Sequence, residues 1–289
     1  IDPADYQILA SSFSEYLHSV LPNGGNVLLW PEAHTRNDSY LKNVFVLSNL
    51  IKSDGISVLI GTDELPAMDV DVGDGILKLS QIDVENDKVL ADGNPIDLIF
   101  LNSDLTTGPL LIDSVPIHPI PSMGWYNRSK CEHFEHVKNL VHQLAEMLGI
   151  DPWLIGPWGF VSRGRCLEEQ ECRERLAAEI DAGLDFIAGK YNEHGINAAP
   201  SLFMKNDRGT YGLGILRIDS PEEILNLSKR KMNRLTYGRG GLQAEDFLLQ
   251  EAVPTHLLSH GAVIEPVGYG VNGFVLSWFH RMNRKHGPL

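Results

Sequence analysis

The chain is poor in cysteine, short of positive charge and free of long apolar runs, and each shortage narrows what it can be. Three cysteines in 289 residues, Cys131, Cys166 and Cys172, cannot build a disulfide framework, and their spacing fits no zinc knuckle. The expected compartment is a reducing cytoplasm. No stretch reaches the ~20 consecutive apolar residues of a membrane-spanning helix. The opening Ile1-Asp-Pro-Ala-Asp5 carries neither a basic nor an apolar segment, so no secretory signal is expected. Lysine and arginine number 24 against 38 aspartates and glutamates, a net charge of −14, which argues against a nucleic-acid partner. Part of the acidic excess lies in Thr62–Asp74. That stretch lacks the closing glutamate of a calcium loop and reads as a solvated acidic loop.

What is present is a generous apolar content, 43%, in segments of helical and strand period. Apolar spacing predicts helices over 5–20, 37–54, 130–148 and 167–188. Buried strands are expected at 26–30, 56–60 and 95–101, and a small hairpin within 75–93. The β-α-β run near the start implies a parallel pair with a right-handed crossover. Later strands are expected at 201–205, 213–218, 246–251, 262–269 and 273–279. A helix at Pro221 should be capped by Asp219 or Ser220. The expected fold class is α/β: a Rossmann-like N-terminal domain over 1–129, a helical bridge over 130–195, and an α+β domain over 196–289.

The stretch with the most chemistry is Ser201-Leu-Phe-Met-Lys-Asn-Asp-Arg-Gly-Thr-Tyr-Gly-Leu-Gly-Ile-Leu216. A strand delivers Lys205, and a loop with Gly209, Gly212 and Gly214 leads into a second strand. Glycines allow a backbone to approach an anion, and loop N–H groups can cradle phosphate oxygens. The lysine precedes the glycines, so this is not a Walker A loop, and the glycines lead into a strand, so it is not a Rossmann loop. Gln250, Glu251, Ala252 and Val253 close a buried strand and can present backbone groups to an adenine edge. Val263–Val267 and Gly273–Arg281 are expected to form a hairpin ending in a basic cluster, Arg281, Arg284 and Lys285, which can neutralise phosphates. In the N-terminal part, Glu32, His34, Thr35, Arg36 and Asn37 follow one parallel strand, and Asn102 and Asp104 follow another. Ligands of open α/β sheets bind at such strand ends, and Arg36 or Arg128 suits a carboxylate.

This order resembles the ATP-grasp superfamily and, more closely, the proteobacterial-type glutamate–cysteine ligase family. The marks are Pro31-Glu-Ala-His-Thr-Arg-Asn37 with Tyr40-Leu-Lys-Asn43, Asn102-Ser-Asp-Leu105, and Gly124-Trp-Tyr-Asn-Arg-Ser-Lys130 with His133-Phe134. Gly149-Ile-Asp-Pro-Trp-Leu154, Lys190-Tyr191, the Lys205–Ile215 loop, Asn233-Arg234, Gln250-Glu251 and Glu265-Pro-Val267 continue it. The resemblance implies a pre-ATP-grasp domain, an ATP-grasp-like domain and an ATP-dependent carbon–nitrogen ligase. Its cofactors would be ATP and Mg2+, and its partners small amino acids, glutamate as acyl donor and cysteine as amine, with homo-oligomerisation left open. Lys205 and Arg281 would be catalytic. Lys190, Lys205, Gly209, Thr210, Tyr211, Gly212, Gly214, Gln250–Val253 and Glu265 would hold the nucleotide. Glu32, His34, Thr35, Arg36, Asn37, Asn102, Asp104 and Arg128 would hold the amino acid. The family pattern runs on past the late arginine to its magnesium ligands, so the metal ligands here are unassigned. The alternatives are a ligase of the same architecture for another amino acid or peptide, and a nucleotide-binding protein without turnover.

Overall fold

The computed structural model describes residues 2–33, 37–85, 88–209, 212, 214–237 and 245–283. The chain divides into two compact units, one running to Asn127 and resuming at Leu257, the other spanning Arg128–His256.

The first unit is built on a parallel sheet. Helix α1 (Pro3–Val20) leads into β1 (Gly25–Pro31), α2 (Asp38–Leu50) into β2 (Ile56–Ile60). Strands β3 (Met68–Asp71), β4 (Ile76–Leu79), β5 (Ile82–Glu85), β6 (Lys88–Ala91) and β7 (Asn94–Pro95) precede β8 (Leu98–Asn102) and β9 (Ile117–His118). The sheet order is β2-β1-β8-β9, with β1 parallel to both neighbours. Both faces of β1 are covered, which is why it reads as a continuous apolar run. Val27 and Leu29 pack with Leu17 and Val44 of the helices, while Leu28 and Trp30 pack with Ile82, Val89 and Ile99. The expected hairpin over 75–93 is two hairpins: β3 pairs with β4, and β5 with β6. The acidic segment thus contains a strand, because Val70 joins the core that Leu77 and Leu79 build.

The second unit opens with α3 (Lys130–Leu148), β10 (Gly159–Ser162) and α4 (Gln170–Glu193). It continues with β11 (Leu202–Asn206), β12 (Ile215–Ile218), α5 (Glu222–Leu225), α6 (Lys229–Thr236) and β13 (Phe247–Glu251). Its sheet is antiparallel, in the order β10-β13-β11-β12. Leu202, Met204, Phe247 and Leu249 face Leu176, Ile180, Leu184 and Ile187 of α4. Leu248 and Val161 face Cys131 and Phe134 of α3 instead. No side chain caps α5; Glu223 reaches back to accept the Asp219 N–H at 2.8 Å.

The last strands, β14 (Leu258–Ser259), β15 (Ala262–Val271) and β16 (Phe274–Asn283), form a meander. They belong to the first unit, not to a domain that starts at 196. Val271 packs with Leu9 and Leu50, Leu276 lies against the same cluster, and the Ser277 hydroxyl donates to Asp5 at 2.8 Å. The helices expected as a separate bridge, α3 and α4, clasp the two faces of the second sheet and belong to that unit.

Candidate active site

In the first unit, β1 and β8 end side by side with Pro31 opposite Asn102. The residues that follow each strand therefore meet. One carboxylate oxygen of Glu32 accepts from the Ser103 hydroxyl at 2.9 Å and from the Asp104 N–H at 3.1 Å. The Glu32 N–H donates to the Tyr40 hydroxyl oxygen at 2.6 Å, and that hydroxyl donates to the Asn102 carbonyl or side-chain oxygen, each at 3.0 Å. Burial pushes the Tyr40 phenol up to about 12; the Glu32 N–H works against this, and the Glu32 and Asp104 charges add to it. Tyr40 is thus a neutral hydroxyl that ties both strand ends together.

A polar cavity of about 160 Å³ opens here, lined by Glu32, Thr62, Asp63, Glu64, Ser103 and Thr106. An apolar cavity of about 140 Å³ also reaches Glu32, lined by Tyr40, Leu41, Val44, Leu65 and Leu77. Of the residues expected to bind an amino acid, Glu32, Asn102 and Asp104 are brought together. His34, Thr35 and Arg36 lie outside the described residues. Asn37 is spent locally: its side chain accepts the Tyr40 N–H at 2.9 Å and caps α2. Tyr40 and Ser103 were not among the expected ligands, although Tyr40-Leu-Lys-Asn43 and Asn102-Ser-Asp-Leu105 were among the strings that carried the resemblance.

In the second unit, side chains of β11 alternate between faces. Leu202 and Met204 enter the core with α4, so Phe203 and Lys205 take the opposite face. The Lys205 ammonium donates to the Gln250 Oε1 at 2.6 Å, and burial lowers its pKa. The turn after β11 closes where the Asn206 N–H meets the Gly214 carbonyl at 2.8 Å. Gly214 has φ +70°, and a Cβ there would stand 2.6 Å from the Asn206 Cβ, so glycine is required. The Gly209 N–H donates to the Asn206 carbonyl at 3.2 Å, and Gly212 has φ +75°; Thr210, Tyr211 and Leu213 lie outside the described residues.

Other expected nucleotide ligands are engaged elsewhere. The Glu251 carboxylate accepts from the Trp153 indole at 2.8 Å and from the Tyr191 hydroxyl, and burial followed by this bond pushes the Tyr191 phenol up to about 12. The Glu251 and Ala252 N–H groups donate to the Trp158 and Ser201 carbonyls at 2.8 and 2.9 Å. Gln250 and the exposed Val253 are the members of this stretch turned outward. Lys190 sits on α4, against the sheet face opposite Lys205, with its ammonium on Asp151 at 2.5 Å and Glu193 at 2.9 Å. These bonds raise its pKa, and the Lys190 bond holds Asp151 below the usual carboxylate range. Arg281 pairs across the hairpin with Glu265, to which its Nε donates at 2.9 Å; Arg284 and Lys285 lie outside the described residues. Both belong to the first unit, whereas Lys205 belongs to the second. Arg128 likewise opens the second unit, while Glu32 belongs to the first.

Asp151, Glu193 and His194 form the group among the described residues whose ligand atoms lie close enough for a metal. Magnesium favours oxygen ligands in near-octahedral geometry. Here the set includes an imidazole, and the Lys190 ammonium already answers both carboxylates. This donor set does not fit Mg2+.

Lys130 was not among the expected site residues. Its ammonium donates to the carbonyls of Asn206 at 2.8 Å, Asp207 at 3.1 Å and Gly209. Burial first, then the Arg128 charge, lowers its pKa to about 8, with Lys205 adding to the effect and Asp207 opposing it. The signal was its place in Gly124-Trp-Tyr-Asn-Arg-Ser-Lys130, directly after the Ser129 cap of α3.

No curated protein is a significant sequence match. Among solved structures, the chain is similar to a protein assigned as a gamma-glutamylcysteine synthetase from Methylobacillus flagellatus KT. The identity is 29% and the TM-score 0.85, over 99% of this chain and 69% of that one. D-alanyl-alanine synthetase A from Vibrio cholerae O1 biovar eltor str. N16961 shows 14% identity and a TM-score of 0.42, over 88% of this chain and 65% of that one, too loose a likeness to carry an argument. The GshA family profile, described as glutamate-cysteine ligase, matches residues 1–288. The chain therefore belongs to the glutamate-cysteine ligase family, a family of ATP-dependent carbon–nitrogen ligases.

Proposed function

We propose that this chain joins the side-chain carboxylate of glutamate to the amine of cysteine through an acyl phosphate. A carboxylate oxygen attacks the γ-phosphorus of ATP, an O–P bond forms, and the bond to the β-phosphate oxygen breaks to release ADP. The amine then attacks the acyl carbon, loses a proton and expels inorganic phosphate. Such chemistry needs positioning and charge neutralisation rather than a protein nucleophile, and the buried thiols of Cys131 and Cys172 have no part in it.

Lys205 neutralises the phosphates in this reading. An ammonium carries three donors, and Gln250 takes one while fixing the direction of the rest. The glycine turn brings main chain close to the same anion. The Glu32–Ser103–Asp104 junction, with its acidic polar cavity, receives the amino group of an amino-acid substrate. A divalent metal, when bound, would supply further neutralisation of the phosphate charge. The Gly212-Leu-Gly214 turn, Lys205 and Gln250 are the basis for reading the second unit as ATP-grasp-like. Three free thiols fit a reducing, cytoplasmic setting.

The observation that carries the reading is the half-buried Lys205–Gln250 pair at the root of a glycine turn in a chain of this family. The test is ADP release by the full chain with glutamate, cysteine and magnesium, beside the Lys205→Met variant. Losing a charge-assisted bond costs about 1.5–3 kcal/mol, so ATP affinity should fall roughly ten- to a hundredfold. No ADP with glutamate and cysteine, but ADP with another amino-acid pair, would replace the substrates and keep the chemistry. Unchanged ATP affinity in Lys205→Met would overturn the site.

A further inference from the structure

A cavity of about 270 Å³ opens in the second unit beside the start of β10, and the chemistry proposed above makes no use of it. Its apolar walls are Phe134, Val137 and Val141 of α3, Trp153 and Trp158 of the segment before β10, and Phe186 of α4. Neither Lys205 nor Gln250 lines it. Helix α3 supplies one wall because its lining residues recur at three- and four-residue intervals and so share a face.

Both tryptophans are held in place by the protein itself. The Trp153 indole N–H donates to Glu251 at 2.8 Å, and its ring stacks on His194 with centroids 5.1 Å apart. Trp158 stacks on Phe186 at 4.7 Å and stands edge-on to Phe160 at 5.9 Å. Walls fixed in this way lose little freedom when a flat ring enters, and ring contacts stabilise beyond the area they bury. The mouth carries charge. Lys138 and His142 lie one helical turn apart, line the cavity and are exposed. Neither side chain has an ion pair or hydrogen bond among the described residues. Asp151 is the acid of the lining, and it is already answered, by the Lys190 ammonium at 2.5 Å and the Trp153 N–H at 2.9 Å.

We propose that this cavity binds a small planar aromatic carboxylate, its ring packed against Trp153, Trp158 and Phe186 and its carboxylate met by the Lys138 ammonium and the His142 imidazole. Aromatic walls select a flat ring, and an unanswered cation at the mouth selects an anion over a neutral or cationic molecule. The volume lies just under the roughly 300–1,000 Å³ of drug-sized ligand cavities, which suits a molecule of one or two rings. The site stands on its own geometry and does not depend on the reading of Lys205.

The experiment is calorimetry on the full chain with three probes. They are β-naphthoate; β-naphthamide, of the same shape without the charge; and the fully hydrogenated acid, which keeps the charge and lacks ring faces. β-Naphthoate should bind roughly two- to fivefold tighter than the amide, the scale of an exposed ion pair. It should bind roughly two- to tenfold tighter than the hydrogenated acid, the scale of ring stacking. In Lys138→Glu the preference for the acid over the amide should vanish or reverse. Trp158→Leu should weaken β-naphthoate by roughly two- to tenfold. If that variant does not fold, Phe186→Leu, at an exposed ring, carries the same comparison. No binding of β-naphthoate at about 1 mM overturns the proposal. An amide that binds as tightly as the acid also overturns it, leaving an apolar crevice without charge recognition. So does a β-naphthoate affinity that neither Lys138→Glu nor the ring variants change, because the acid is then held elsewhere on the chain.

Discussion

Replacing Tyr40 by phenylalanine removes one oxygen and tests the junction at the end of the parallel sheet. That oxygen accepts the Glu32 N–H at 2.6 Å and donates to Asn102. Tyr40 is half-buried, and the ring lines the apolar cavity against Leu41, Val44 and Leu77, so phenylalanine keeps the packing. What is lost is the partner of a main-chain N–H next to a buried strand end. A donor left unsatisfied costs about 1–3 kcal/mol, and the loosened Asn102 adds to it. In a unit of this size, each kcal/mol shifts the midpoint by roughly 2–4 °C. The consequence for function is separate: Glu32 loses the bond that fixes its main chain, while its carboxylate stays on Ser103 and Asp104. On the proposed function, KM for the amino acid should rise severalfold, with KM for ATP unchanged, because Lys205 and Gln250 belong to the other unit. The assays are denaturant unfolding and initial-rate kinetics with each substrate varied in turn. A Tyr40→Phe protein with wild-type midpoint and wild-type KM values would refute the claim that this hydroxyl holds the two strand ends.

Glu251→Leu should destabilise the second unit by about 1–3 kcal/mol for each of two stranded donors, the Trp153 indole and the Tyr191 hydroxyl; unfolding followed by Trp153 fluorescence checks it, and an unchanged midpoint counts against the buried role of Glu251. The Lys130 pKa near 8 lies below its unfolded value of 10.5, so between those values the unfolded state holds more protons and this group's contribution to stability rises with pH. Nucleotide affinity should move the other way, falling as pH passes 8 and the turn loses its cation. Parallel titrations of the unfolding midpoint and of ATP binding in wild type and Lys130→Arg read the two signs; an ATP affinity flat across pH 7–9 would contradict the second.

Much of the fold was legible because its period is local. The 130–148 helix was expected at the bounds observed, from its apolar spacing and from a cap that works as such caps do: Ser129 accepts the Glu132 N–H at 3.0 Å. Strand β2 was placed at its observed bounds as well. Strand β10 was missed because Gly159-Phe-Val-Ser162 sits in a glycine-rich stretch, and its pairing with β13 decides its state. Helix α6 was missed because Lys229–Thr236 is short and basic, with Leu235 as its buried apolar anchor. The acidic stretch hid β3 for a similar reason: its strand character comes from β4 across the sheet.

The sequence by itself determined the parallel core, the lysine-glycine turn and the polar runs after β1 and β8, since each depends on residues close in the chain. Tertiary structure decided which side chains are left to act. It set Lys205 on Gln250, 45 residues away, through the antiparallel register of β11 and β13. It gave Lys190 to Asp151 and Arg281 to Glu265, and turned Glu251 into the core. It also brought Tyr40 to Asn102 and Lys130 to the turn, contacts of 62 and 76 or more residues' separation. A charge in a sequence has no partner until folding brings a distant acceptor within about 3 Å, and only then is it known whether its donors are spent or free.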